Sequence, residues 1–147
     1  LLRTAINSVP RGHAGQNEDL ARPRVLLTTF PQEHHSLGLL MAEALMALEG
    51  CVCVSLGTQT PILEIAQAAR AQKADVIALS FSSQMNQNQV VDGLNELKSK
   101  LAPGIELWVG GENQALRKRA PEGIKVINAL NDISVKVKDW RSERSDI

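Results

Sequence analysis

Arg24-Val25-Leu26-Leu27-Thr28-Thr29-Phe30 runs directly into Pro31-Gln32-Glu33-His34-His35-Ser36-Leu37-Gly38. The first seven residues are apolar and β-prone, and Pro31 prevents their simple continuation as a ladder strand, so they read as strand one. Ser36 then stands as N-cap of helix one, in which Leu37, Leu40, Met41, Ala44, Leu45 and Leu48 recur at helical spacing and predict the core-facing stripe. Gly50 sits where a helix C-terminus takes a left-handed residue. The same alternation continues downstream. Cys51 to Leu56 reads as strand two, and Thr60-Pro61 places a cap before the helix marked by Ile62, Ile65, Ala66 and Ala69. Asp75 to Phe81 is strand three, Val90, Leu94, Leu97 and Leu101 mark helix three, and Pro103-Gly104 turns the chain. Ile105 to Val109 is strand four, ending in Gly110-Gly111, and Gly123 precedes strand five at Ile124 to Ile127. The tail fits either period, since Ile133, Val135 and Val137 alternate while Leu130, Ile133, Val137 and Trp140 are helically spaced. Topology favours a helix.

Strands this apolar do not face water on one side, so the pattern predicts an α/β, doubly wound, flavodoxin-like parallel sheet of order 2-1-3-4-5 with helices on both faces. The 147 residues suit one domain, expected over residues 24–147. From Val9 to Pro23 the chain is punctuated by Pro10, Gly12, Gly15, Asn17 and Pro23 and reads as a linker. Leu1, Leu2, Ala5 and Ile6 before it resemble the end of an apolar helix face, which suggests a piece of a longer polypeptide.

Composition narrows the function classes. Lys plus Arg and Asp plus Glu both count 16, so net charge gives no reason for this domain itself to grip nucleic acid. Aromatic residues are only 3% of the chain, too few for a base-stacking platform. Cys51 and Cys53 are too close in sequence for a comfortable disulfide, which fits a reduced, cytoplasmic setting. No apolar run approaches the roughly 20 residues of a membrane span, and no leader opens the chain, so a soluble protein with no membrane partner is expected.

In this class of fold the ligand crevice lies at the carboxyl ends of the strands where the winding reverses, after strands one and three. There the sequence offers Glu33-His34-His35-Ser36-Leu37-Gly38, then Gly57-Thr58-Gln59-Thr60, then Ser80-Phe81-Ser82-Ser83, then Gly110-Gly111. A carboxylate two residues before a histidine can accept one ring N–H and leave the other nitrogen for a metal. Small residues at adjacent strand ends leave a slot for an elongated ligand with hydrogen-bonding groups.

Glu33-x-His35-x-x-Gly38, Ser80-x-Ser82 and Gly110-Gly111, in this order, resemble the D-x-H-x-x-G, S-x-L and G-G motifs of the cobalamin-binding domains of methionine synthase, corrinoid methyl carriers and B12-dependent mutases. Leu56-Gly57 followed by Thr60-Pro61 resembles that family's second loop, and the resemblance spans roughly Arg24 to Arg141. It implies that His35 replaces dimethylbenzimidazole as lower axial ligand of cobalt, oriented by Glu33, and that the displaced nucleotide tail enters beside Ser80 and Gly110-Gly111. Glu33 stands where most of the family has Asp, and Ser82 where it has Leu. The Glu variant is similar to the B12-dependent photoreceptor regulators of the MerR family, the CarH and LitR type. That likeness implies a sensor domain with no catalytic residues of its own, adenosylcobalamin ahead of methylcobalamin or hydroxocobalamin as cofactor, self-association of the complete protein, and DNA contact only through a preceding N-terminal region. Glu33, His34, His35, Ser36, Gly38, Gly57, Thr60, Ser80, Ser82, Gly110 and Gly111 are the expected cofactor-binding residues, with His34 facing the corrin edge or solvent.

Blander readings stand beside these. His35 alone fits an ordinary loop histidine, Ser80 a cap of helix three, and Gly110-Gly111 a tight turn. A zinc site from Glu33, His34, His35, Cys51 and Cys53 is disfavoured, because the cysteines begin strand two at the end away from the histidine loop. They read as small core residues. Lys98, Lys100, Arg117, Lys118 and Arg119 read as a solvated rim. A corrinoid carrier of methyl groups keeps the fold and changes the task. A phosphorylated receiver lacks its Asp, since Ser80 occupies the end of strand three.

Overall fold

The computed structural model describes residues 22–145. The expected helical stub and all of the expected linker except Arg22 and Pro23 lie outside the described residues.

The elements are β1 (Arg24–Thr28), α1 (Leu37–Leu48), β2 (Val52–Gly57), α2 (Ile62–Ala71), β3 (Val76–Phe81), α3 (Gln87–Lys100), β4 (Glu106–Gly111), α4 (Ala115–Lys118), β5 (Lys125–Ile127) and α5 (Ile133–Ser145), with a single 3-10 turn at Leu130–Asp132 before α5. All strand pairs are parallel and the order is β2-β1-β3-β4-β5, as the strand patterns predict. β1 and β3 are buried throughout or nearly so, because helices cover both faces of the sheet centre. On one face Ile65, Val90, Leu94, Leu97 and Leu116 of α2, α3 and α4 pack on Leu26, Ile77, Leu79 and Leu107. On the other, Leu39 and Met46 of α1 and Ile133, Val137 and Trp140 of α5 pack on Val25, Leu27, Ala78 and Trp108. Cys51 and Cys53 are free thiols in this second cluster.

Three local expectations need correction. The buried side of α1 is Leu39, Glu43, Met46 and Ala47, with Leu37 and Leu48 exposed, so the predicted stripe is turned away from the sheet. Nearly every position of this helix is apolar, and such a helix gives no single phase to read. Pro61, not Thr60, occupies the cap position of α2, and the Thr60 hydroxyl pairs with Thr28 Oγ1 at 2.6 Å instead. Ser80 does not cap α3, being a strand residue, and Asn86 does so by accepting from the amides of Asn88 and Gln89 at 2.8 and 3.3 Å. Ser36 does hold the cap position of α1 but makes no side-chain capping bond. Gly110 and Gly111 belong to β4 itself. The connection from β4 to β5 carries only the four-residue α4. The tail is helical, as topology favours.

Candidate functional site

The loop after β1 is held from below by threonines. Thr28 Oγ1 donates to the Gly57 carbonyl at 2.8 Å, and Thr29 Oγ1 donates to the Glu33 carbonyl at 2.7 Å while accepting from the Gln59 amide at 2.8 Å. Phe30 anchors the loop from the opposite sheet face, edge-on to Phe81 with ring centroids 5.1 Å apart. Gly93 of α3 makes room for that ring, since a Cβ there would lie 2.5 Å from Phe30 Cε2.

Glu33 is 2% exposed, and its carboxylate is fully engaged. Oε1 accepts from the Ser82 amide, and Oε2 accepts from the Ser82 hydroxyl at 3.0 Å, from His35 Nδ1 at 2.7 Å and from the His35 amide at 3.3 Å. Burial pushes this carboxyl up, but the Ser82 amide, the His35 ring, the Ser82 hydroxyl and the His35 amide together outweigh it and hold the pKa below its usual value. An ionised partner at Nδ1 selects the Nδ1–H tautomer and leaves Nε2 with its lone pair. The His35 side chain is 43% exposed, and His34 stacks on it with centroids 4.2 Å apart.

Ser82 is itself fixed from β4's far end. Asn113, 1% exposed, donates from Nδ2 to the carbonyls of Ser82 at 2.9 Å and Met85 at 2.8 Å, and its Oδ1 accepts from the Ala115 amide at 2.9 Å. Three loops, after β1, β3 and β4, thus converge on one carboxylate–imidazole pair.

His35 stands at the mouth of a cleft of about 500 Å³ between α1 and the segment joining β5 to α5. Gly38, Ala42 and Met46 form one wall, Ala129 and Leu130 the other, and Ser80, Trp108 and Gly110 lie along the sheet side. Ser80 pairs in register with Gly110, and Phe81 with Gly111. A Cβ on Gly38 would lie 3.1 Å from Ser80 Oγ, so α1 begins in close approach to β3 and a side chain there would press on the Ser80 hydroxyl. Gly111 has φ +118°, and a Cβ there would stand 2.1 Å from the Phe81 carbonyl oxygen, so no other residue fits this backbone.

Of the residues singled out in the sequence, His35, Gly38, Ser80, Ser82, Gly110 and Gly111 line the cleft, with Glu33 buried beneath His35. His34 and Ser36 are exposed on the same loop and are not part of the lining. Gly57 and Thr60 sit at the end of β2, also outside the lining, and Thr60 is spent on the Thr28 contact. Sequence reasoning missed Asn113, for which Gly-Gly-x-Asn just past a strand end was the available signal, and the wall at Ala129 and Leu130.

The profile of the B12 binding domain matches residues 23–127, the stretch that carries the whole sheet and both sides of this pair. The chain belongs to the B12-binding domain family. It is 31% identical over 86 residues to the HTH-type transcriptional repressor CarH of Myxococcus xanthus, covering 58% of this chain and 29% of that protein. This chain therefore spans under a third of that relative's length. Among solved structures the fold is like that of a novel cobalamin-binding protein from Desulfitobacterium hafniense DCB-2, with TM-score 0.65 and 18% identity over 82% of this chain and 59% of that one. The methanol:cobalamin methyltransferase complex MtaBC from Methanosarcina barkeri matches with TM-score 0.69 and 16% identity, over 81% of this chain and 46% of that one. The monomethylamine corrinoid protein of Methanosarcina barkeri matches with TM-score 0.62 and 15% identity, over 83% of this chain and 60% of that one. Among the described residues no helix is long and apolar enough to cross a membrane.

The residues present fit a cobalamin. The pair offers one imidazole nitrogen toward the cleft mouth with the other tied to a buried carboxylate, the arrangement common to metal-ligating histidines. The cleft beside it is lined by small residues and has room for an elongated polar tail.

Proposed function

We propose that this domain is the cobalamin-holding sensor part of a B12-dependent, light-responsive transcriptional regulator, and that it binds cobalamin base-off with His35 as the lower axial ligand. The observation that carries the reading is the 2.7 Å contact from His35 Nδ1 to Glu33 at the mouth of the cleft. His35 would hold the cobalt, and Glu33 would keep the imidazole in the ligating tautomer. Ser80, Gly38 and Gly110 would leave space for the nucleotide tail. The bound cofactor supplies a light-labile cobalt–carbon bond, adenosylcobalamin being the favoured form ahead of methylcobalamin or hydroxocobalamin. The chain's own residues bind and orient, and none is assigned a catalytic step. DNA contact belongs to a region preceding this domain, self-association to the complete protein, and the cytoplasm is the proposed setting. The 31% identity to CarH supports this regulator reading.

The likeness to the corrinoid protein and the methanol:cobalamin methyltransferase complex supports a second reading, a corrinoid carrier of methyl groups. One experiment addresses both. Hydroxocobalamin, methylcobalamin and adenosylcobalamin are added separately to wild type and His35→Ala, the samples are desalted, and visible spectra are recorded in the dark and after illumination. A histidine-ligated spectrum in wild type that is lost or altered in His35→Ala is the expected result. A light-dependent change of oligomer with adenosylcobalamin favours the sensor, and methyl exchange with a methyltransferase favours the carrier. An unchanged spectrum and affinity in His35→Ala overturns the ligand assignment.

A further inference from the structure

Ser82 spends all three of its polar groups. Its amide and hydroxyl donate to the two oxygens of Glu33, and its carbonyl accepts from Asn113 Nδ2 at 2.9 Å. The residue is therefore held from both sides, by the loop after β1 through Glu33 and by the loop after β4 through Asn113. The preceding peptide is confined as well, since Phe81 pairs with Gly111 and its carbonyl oxygen lies 2.1 Å from where a Gly111 Cβ would stand.

Asn113 suits this task by its chemistry. The same Nδ2 donates to the Met85 carbonyl at 2.8 Å, and Oδ1 accepts from the Ala115 amide at 2.9 Å. Two carbonyls on one side and an N–H on the other admit one orientation of the carboxamide. A carboxylate has no donor for them and a hydroxyl has one, so neither reproduces the set. The turn from Ser82 to Met85, closed by a Met85 amide to Ser82 carbonyl bond of 3.4 Å, is thereby closed a second time. At 1% exposure, the carbonyls that Asn113 serves depend on it and not on solvent. Its hydrogen bonds reach neither Glu33 nor His35, and it is not among the residues lining the cleft, so any effect on the imidazole passes through Ser82.

We propose that Asn113 is a positioning residue for the axial nitrogen: through Ser82 and Glu33 it holds the His35 imidazole in the Nδ1–H tautomer, with Nε2 left to ligate. Ligation by Nε2 rests on the cobalamin reading above, whereas the tautomer belongs to the domain without cofactor.

The test begins with the cofactor-free 147-residue chain carrying nitrogen-15 in its histidines, at about pH 8, where an ordinary imidazole is neutral. Two-bond proton–nitrogen spectra read the tautomer of His35. Asn113→Asp keeps the size and the Oδ1 acceptor and loses the donor, and Asn113→Ser keeps only an oxygen for the Ala115 amide. Either one that folds, by its amide spectrum, decides the outcome. Asn86→Ala is the comparator, because it removes the cap of α3 from the end of the same turn and leaves the three bonds of Ser82 in place. The expected result is Nδ1–H in wild type and in Asn86→Ala, and a several-fold rise of the Nε2–H form in the Asn113 variants. Titrated with hydroxocobalamin, the Asn113 variants are expected to show histidine ligation weakened several-fold, and Asn86→Ala to match wild type. An unchanged tautomer in a folded Asn113 variant overturns the proposal. So does an equal shift in Asn86→Ala, which would mean a general loosening of the turn, or ligation equal in wild type and the Asn113 variants. A tautomer shift with no histidine-ligated spectrum in wild type supports the positioning role and overturns the assignment of His35 to cobalt instead.

Discussion

His35 Nδ1 and the Ser82 hydroxyl both donate to one oxygen of Glu33, at 2.7 and 3.0 Å, so a residue on the loop after β3 sets the carboxylate that sets the imidazole. The two donors are unequal in consequence. Ser82→Ala removes one hydroxyl bond but keeps the Ser82 amide on Oε1, and is expected to cost about 1 kcal/mol. Glu33→Gln sets an amide nitrogen against the Ser82 amide in one orientation and against the donors on Oε2 in the other, and is expected to cost about 1–3 kcal/mol and to lower cobalamin affinity roughly 10–100-fold. Urea unfolding and spectral titration of the two variants check the order. A Ser82→Ala loss equal to that of Glu33→Gln in both measurements would contradict it.

The three-loop convergence was only partly visible in the sequence. Glu33-x-His35-x-x-Gly38 is local, and its partners' small size at the strand ends follows from strand runs that are short, apolar and well separated. Asn113 was legible only as a polar residue just past Gly110-Gly111, and its role was not, because its two acceptors, Ser82 and Met85, are 31 and 28 residues away in sequence. The phase of α1 was misread for the opposite reason. With leucine, methionine or alanine at almost every position, several stripes fit equally, and packing of Leu39 and Met46 on the sheet selected one. Thr60 reads as a cap in any sequence with Thr-Pro, yet the buried hydroxyl of Thr28 outcompetes the helix for it.

The glycines of β4 separate binding from folding. A Cβ on Gly110 would stand 3.3 Å from the Ile127 carbonyl oxygen, a contact relieved by a shift of a few tenths of an ångström. Gly110→Leu is therefore expected to fold and to lose cobalamin by filling the cleft. Gly111→Ala meets the Phe81 carbonyl oxygen at 2.1 Å from a backbone with φ +118°, and is expected to lose about 3 kcal/mol or more. Thermal melts with cobalamin retention after desalting test the pair, and a folded Gly110→Leu that binds normally removes the cleft as the tail site.

Thiol reactivity should distinguish the two cysteines. Burial, with a smaller opposing pull from Arg141, pushes the Cys51 thiol up to about 11, so almost no thiolate is present at pH 8. Cys53 is only half-buried. A disulfide reagent at pH 8 is expected to label Cys53 first in native protein and both cysteines in urea, as read by peptide mass. Faster labelling of Cys51 in the native state would place it nearer the surface than its burial allows.

Acid sensitivity follows from three carboxylates. Glu33, Asp75 and Glu106 are each pushed up by burial and pulled further down by donors, ending below their ordinary values of 4.5, 3.8 and 4.5. For Asp75 the donors are the Arg22 side chain and the Arg24 amide, and for Glu106 they are Lys125 and the Trp108 indole. A folded-state pKa below the unfolded one means that the unfolded chain binds protons first as pH falls. The stabilisation is therefore fully present above the unfolded carboxylate range and is lost as pH drops through it and on through the folded values. The urea midpoint is expected to be flat from about pH 7 to about 5.5 and to fall steadily below about 4.5. Asp75→Asn removes the Arg22 pair and one of the three proton-linked sites, so it should lower the midpoint at pH 7 and make the acid decline shallower. An acid decline as steep as in wild type would show that Asp75 titrates alike in both states.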